Sequence, residues 1–491
     1  MKRDKILFIT IIAILPYMVY AQNFGQNEHP MNSRSDNVDV LKYWNNQSSD
    51  ELKTYETIYQ VLSKNKDATY ADLINKKEYL ELYKHNNLYL LGGPILGDVK
   101  ATGISIWFRT GIPSKVQVEL TSDNKAFKSD YVHTSSESDL SGIIKINGLN
   151  PATVYSYTLL INDTNRISNG NYFFKTVPNQ NDAFPLRIAF GSCPHRWGLG
   201  NEKLLNTIKQ RDPAAMLLLG DIAVQDRNNH LGLHRADYLL RDFQVAWKNF
   251  ASNVPVYASW DDHDYFGNDK VGIPPGYSDK DRRNVREVFK NSWLNPAYGS
   301  NDEGIYFKTQ IGFVEVVMTD NRYFRGDPMY PFLGQSQMEW LKTQIKRCKS
   351  PFLVLSSGTM WIDYVSDGKD SWGINDPKGR EEIFKLIEQN KISAVLLISG
   401  DRHGARGFTI QRDSGFELFE FGAASLGARV GPPKSKPEWV NQIYGIDGTF
   451  AFGEFTFEKK KNKENVIFRL INETGNILYE RQFLTKELKS K

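Results

Sequence analysis

Cysteine is scarce in this chain: Cys193 and Cys348 are the only two among 491 residues. That excludes a fold held by a disulfide framework, which needs several bridged pairs in a short chain. A single Cys193–Cys348 bridge stays open. Charge of one sign is lacking too, since 61 basic side chains face 57 acidic ones and leave a formal net charge of +4. So near a balance carries no nucleic-acid-binding signature, which would be a strongly basic face. The one dense basic cluster late in the chain, KKKNK at 459–463, reads as a solvated hairpin tip. Beyond residue 21 no apolar run approaches the roughly 20 residues that span a bilayer. No internal repeat and no low-complexity segment is present.

The first 21 residues carry a processing signal. Lys2, Arg3 and Lys5 precede a short apolar stretch, ILFITIIAILPYMVY, and Val19-Tyr20-Ala21 offers a cleavage site. The mature chain is expected to begin near Gln22, exported to a periplasmic or secreted location and without a transmembrane segment. A tilted anchor is the competing reading of the same stretch. The remainder has the composition of a soluble globular protein, 40% apolar and 24% charged. Its length implies two or three domains.

Four regions follow. Residues 22–88 read as a polar arm, loose to about residue 50, followed by a helical segment in which Leu52, Tyr55, Ile58, Tyr59 and Leu62 recur at helical spacing. Residues 89–178 alternate apolar and polar side chains with period two, as in GISIWFRTG and SKVQVELTS. That pattern predicts a small antiparallel β-sandwich, and GLNPATVYSY resembles the turn and strand of fibronectin type III-like modules. VPNQNDAFP, 177–185, is a polar linker. Residues 185–485 then alternate apolar strands with helical stretches at 201–211, 234–251, 280–293, 335–347 and 379–390. The pattern predicts an α/β domain with a mixed sheet.

The chemistry-bearing residues follow strand ends, where open α/β sheets build ligand sites. Cys193 follows RIAFGS, Asp221 follows MLLLG, Asp261–Asp264 follow PVYASW, and Asp401 and His403 follow VLLISG. Singly each has a bland reading: a turn aspartate, a core histidine, a buried thiol, a surface ion pair. Together they place Cys, Asp and His on one face. Crowded carboxylates repel unless a cation supplies the missing charge. This mixture of O, N and S donors suits iron, zinc or manganese, with calcium favouring the oxygen-rich half. Two ions about 3.5–4 Å apart could clamp an oxyanion and activate a water. An anionic ester is the natural substrate.

The motifs FGSCPH, LLLGD, WDDHDYFGND, TDNRYFR, LGQSQMEWL and SGDRH occur in this order. Together they resemble the PhoD-type alkaline phosphatase/phosphodiesterase family of metallophosphatases, over roughly residues 90–485. The resemblance implies a four-layer α/β/β/α core behind the sandwich, and two or more metal ions, iron with calcium in some members. Carried onto this chain, it implies metal ligation by Cys193, Asp221 (bridging), Asn268, Asp401 and His403. Asp262 stands where the wider superfamily has the asparagine of its GNH motif, as a ligand or as a holder of His263. One position departs: the family commonly has GDxxY, whereas GDIAV places Val224 there, and valine cannot bind a metal, which leaves Gln225 or Asp226 to substitute or a different metal to be bound.

The expected reaction is hydrolysis of a phosphoric mono- or diester, on a small molecule or a polymer, by a metal-activated hydroxide. His263 would donate a proton or hydrogen bond to the leaving oxygen, Arg402 would stabilise charge, and Asp264 or Asp262 would orient the histidine ring. His195 is a candidate substrate contact or, alternatively, a surface loop histidine. Arg322, with its forked donors, suits either substrate phosphate or a structural carboxylate. Residues 265–280 and 360–378, the latter with Trp361, Tyr364 and Trp372, read either as lids over the site or as packed-down caps. The alternative function is a catalytically impaired homologue that binds a surface polymer, which Val224 favours and the retained ligand set opposes. Oligomeric state is not legible in the sequence.

Overall fold

The computed structural model describes residues 30–489, apart from 123–124, 169–171, 183–184, 364–369, 393, 432–438 and 461–462. The first 21 residues, on which the expected processing signal falls, and Tyr364 lie outside the described residues.

Two sheets form the centre of the region from residue 185 onward, the region expected to be catalytic. One has six strands, in the order Val256–Ser259, Ala215–Leu219, Leu186–Gly191, Ala451–Lys460, Lys463–Asn472, Ile477–Leu484. Its first three strands run parallel and the rest antiparallel. The other has seven, in the order Phe307–Ile311, Val314–Met318, Phe352–Ser357, Ala394–Ser399, Glu417–Gly422, Ala405–Gln411, Gln442–Ile446. Strands with two covered faces need apolar side chains on both, and strict period two sends alternate residues to opposite layers. Ile188, Phe190, Leu217, Val354, Leu396 and Phe421 meet in a core shared between the sheets. Their neighbours Ala189, Met216 and Leu218 turn outward to a second core, shared with the helices Glu202–Gln210, Leu231–Phe243 and Asp279–Lys290. Leu353, Leu355, Val395 and Leu397 turn outward beneath helices Gly334–Arg347 and Pro377–Gln389. The result is the expected α/β/β/α stack.

The β-sandwich is also present. A three-stranded sheet, Leu90–Lys100, Gly103–Thr110 and Ser141–Asn147, faces a second sheet built around Lys115–Ser122 and Val154–Ile161. Its outward Trp107 and Ile95 join the helical core of the region from residue 185 onward, and Arg109 donates to the Asn291 carbonyl at 3.0 Å.

Ahead of the sandwich, Ser49–Lys64 begins with a capping box made by Ser48 and Glu51. Part of the stretch expected to be a loose arm is ordered: Asn37–Trp44 is a helix, capped by Asp36. Val40, Leu41, Tyr55 and Ile58 pack against Leu239 and Leu240 of helix Leu231–Phe243, which explains why short helices are stable here. The predicted helix at 234–251 is two, Leu231–Phe243 and Val245–Ala251.

Candidate metal centre

The parallel strands of both sheets end at the same edge. The turns after Gly191, Leu219, Ser259, Met318, Ser357 and Ser399 therefore converge on one mouth. Those turns are sharp. Cys193, His195, Asp221, Asp226, Asp401 and His403 all take left-handed backbone conformations, with φ between 47° and 70°. Such conformations cost a non-glycine residue of order 1 kcal/mol or more and persist where the surroundings over-determine them. The surroundings are specific: Cys193 N–H donates to the Gly220 carbonyl at 3.0 Å and His195 N–H to the Asp221 carbonyl at 2.8 Å. Ser425 binds the Cys193 carbonyl through Oγ at 2.7 Å and the His403 carbonyl through its N–H at 2.7 Å. Gly220, at φ 105°, has no room for a β-carbon, which would lie 2.7 Å from the Asp261 backbone nitrogen.

Among the described residues, three sets of side chains could each hold a cation: Cys193, Asp221 and His403; His195, Asp221 and His263; and Asp221, Asp261, Asp262 and Asp401. Asp221 belongs to all three. The donor chemistry differs as a polymetal site requires, with sulfur and imidazole at one seat and carboxylate oxygen alone at another. Asp221 Oδ1 and Asp261 Oδ2 are buried without a hydrogen-bond partner among the described residues. Orphaned buried carboxylate oxygens are costly unless a cation meets them, so the residues fit a metal centre. Burial and neighbouring carboxylates push Asp221 well above the usual carboxylate range, and burial lifts Asp261 to about 8 against the opposing pull of Arg322. Burial, reinforced by Asp221, raises the Cys193 thiol. A bound cation reverses each of these shifts.

The two cysteines are unpaired, Cys193 buried and Cys348 partly exposed, which closes the question of a bridge between them. His403 turns Nδ1 to the Arg429 carbonyl at 3.2 Å, leaving its other ring nitrogen free to ligate. Asn268 is exposed, and its amide donates to Asp269 at 2.7 Å. Asp262 accepts the N–H of His263 at 3.0 Å.

The ring of His263 is held by Asp226 rather than by its neighbours along the chain. Its Nδ1 lies 2.7 Å from Asp226 Oδ1. Burial alone lowers the pKa of this histidine, but Asp221 and Asp226 outweigh it and lift it to about 10. Gln225 completes the clamp, since Oε1 faces His195 Nδ1 at 2.6 Å while Nε2 donates to Asp226 Oδ2 at 2.8 Å. Asp264, expected to orient His263, does something else. Its carboxylate accepts the backbone N–H groups of Ile222, Ala223 and Val224 at 2.9–3.1 Å. It braces the turn after Asp221, because the short helix Asp262–Tyr265 points it away from the ring. His195 is not a surface histidine; it is buried, stacked on Trp197 at 4.8 Å and beside Asp221 and His263.

Arg322 is buried and bonded through Nε to Asp261, so its firmest contact is structural. Arg402 pairs with Asp401 at 2.8 Å. The side chain of Val224 is wholly buried in apolar core and offers the centre no donor atom. The two tryptophans of 360–378 are packed down: Trp361 and Trp372 stack at 4.9 Å, with no exposure, and donate to the Ile398 carbonyl and Ser357 Oγ.

A family model described as PhoD-like phosphatase matches residues 188–444. The chain belongs to that family. It is a metal-dependent phosphoesterase by this membership. A domain of unknown function, DUF7800, matches residues 87–177, the sandwich. No curated protein matches the chain. Among solved structures, PhoD superposes with a TM-score of 0.65 at 17% identity, over 81% of this chain and 89% of that one. A purple acid phosphatase, PPD1 from yellow lupin (Lupinus luteus) seeds, gives 0.57 at 15% identity, over 79% and 73%. At such identities the two likenesses concern the fold.

Proposed function

We propose that the chain is an exported hydrolase of phosphoric mono- or diesters, with cations gathered around Asp221. The observation that carries this is the sharing of Asp221 among three cation-capable sets, with a buried and unpartnered oxygen. Bound cations would supply Lewis-acid charge that polarises a phosphoryl oxygen and acidifies a water. Cys193, Asp221 and His403 would hold the softer ion; Asp221, Asp261, Asp262 and Asp401 would hold a harder one, with Asn268 as a further ligand by family resemblance. Iron with calcium is implied by resemblance to some members of the family, and zinc or manganese also suit the donors.

His263 would serve the leaving oxygen. Asp226 holds its Nδ1–H, so its Nε2 side is the one left to donate to the leaving oxygen. Asp264 keeps the turn at Asp221 in place. Export with cleavage near Ala21 rests on the charged start, apolar stretch and compact residues of the first 21 positions.

The test is elemental analysis of the purified protein combined with hydrolysis of nitrophenyl phosphate and bis-nitrophenyl phosphate. The expected result is two or more tightly held metal ions per chain, and hydrolysis that Asp221→Asn abolishes. Absence of metal together with absence of hydrolysis would refute this proposal and favour the catalytically impaired reading instead.

A further inference from the structure

Beside the carboxylates of the centre lies a second cluster, built from arginines. Three guanidiniums from two turns converge on one residue, Asp370: Arg322 and Arg325 face its carboxylate and Arg402 its main-chain carbonyl. Arg325 Nη2 is 2.6 Å from Asp370 Oδ2 and Arg322 Nη1 is 3.7 Å from the same oxygen. Arg402 Nη2 donates to the Asp370 carbonyl at 3.0 Å. The three arginine side chains are 3%, 8% and 8% exposed, while Asp370 is 28% exposed. Arg402 Nε is buried with no partner among the described residues.

Three buried guanidiniums need anions, because an uncompensated buried charge is costly. Asp261 and Asp401 answer part of that need, bonding to Arg322 and Arg402. Both also belong to the all-carboxylate set around Asp221, so they answer it less fully once they share their charge with a cation. Arg325 has Asp370 as its carboxylate partner; its Nε goes to the Asn321 carbonyl. Asp370 is thus the most exposed anion in a seat that the protein fills with its own side chain. Guanidinium forks bind carboxylate and phosphate with the same geometry.

We propose that the Arg322–Arg325–Arg402 cluster is the seat for a second anionic group on the substrate, a phosphate or carboxylate that is not the one hydrolysed, and that Asp370 holds the seat until this group displaces it. The proposal rests on the phosphoesterase reading of the neighbouring centre, since Arg322 and Arg402 reach the metal-capable carboxylates directly. It narrows the substrate class to phosphoesters carrying a further negative charge.

Binding of three non-hydrolysed probes tests it, measured by calorimetry and by inhibition of nitrophenyl phosphate hydrolysis in excess metal. The probes are methylphosphonate, phosphonoacetate and methylenebisphosphonate. The expected result for the wild-type protein is about tenfold tighter binding of the two probes with a second anion, the worth of one charge-assisted hydrogen-bond pair. Asp370→Asn should widen that preference about tenfold further by emptying the seat. Arg325→Lys should narrow it by removing the fork while keeping the charge. Phosphonoacetate and methylenebisphosphonate separate carboxylate from phosphate as the preferred group. A preference that stays the same in Asp370→Asn overturns the proposal, whatever the behaviour of Arg325→Lys. Failure of the phosphoesterase reading looks different: methylphosphonate would not bind at all and nitrophenyl phosphate would not turn over.

Discussion

Replacing Asp237 by alanine tests whether the centre is held in place from behind. Asp237 is fully buried on helix Leu231–Phe243. Arg227 grips it with both forks, Nε to Oδ2 at 2.7 Å and Nη2 to Oδ1 at 2.8 Å. Two more donors reach it, the backbone N–H of Gln225 at 3.1 Å and the amide of Asn37 at 2.8 Å. Burial pushes its pKa up, but Arg227 outweighs that and leaves it below the usual carboxylate range. Removing one partner of a buried pair costs about 3–5 kcal/mol. Arg227 keeps 19% exposure, so water recovers part of the loss and about 3 kcal/mol is the expected value. The assay is urea denaturation of Asp237→Ala, Arg227→Ala and the double variant. The double variant should be less destabilised than the sum of the singles by about 2 kcal/mol or more. The sign with pH follows from the depressed pKa: this stabilisation is present above the unfolded value of about 4 and is lost as pH falls below it. Additivity of the two singles within about 0.5 kcal/mol would refute the reasoning.

The other predictions concern single side chains. Asp226→Asn removes the carboxylate that holds His263, so kcat should fall about 10²–10⁴-fold with little change in the urea midpoint; an unchanged kcat would remove Asp226 from the mechanism. Val224→Tyr places a larger ring in a fully packed site, and should destabilise by about 1–3 kcal/mol; a raised midpoint would contradict the packing described. His234 is buried with its pKa lowered to about 4 by that burial. As pH falls from about 6.5 toward 4 the unfolded chain takes the proton first, so roughly 3 kcal/mol of stability should drain away across that window. His234→Gln should flatten this part of the pH–stability curve, and an unaltered curve would show that other groups produce it.

Much of the site was legible because strand endings are local events. An apolar run followed by polar residues marks where a strand stops, and Cys193, Asp221, Asp262, Asp401 and His403 each stand just past such a stop. Partnerships within the site were not legible. Asp264 lies one residue from His263 and looked like its holder, yet one turn of helix sends the carboxylate to three backbone N–H groups. Asp226, 37 residues away, reaches the ring instead. Trp361 and Trp372 could have lined a lid; their indole N–H groups find buried acceptors, so they cap the sheet.

The amino-acid order alone determined the strand–helix alternation and the mouth, since an apolar run that gives way to polar residues marks where each strand ends; the four layers came from the family resemblance. Only the tertiary structure decided which carboxylates meet a histidine, which meet an arginine and which are left for a cation. Those pairings join turns tens to hundreds of residues apart, and burial makes every unpaired charge expensive. The geometry of the closed mouth, rather than proximity along the chain, assigns the partners.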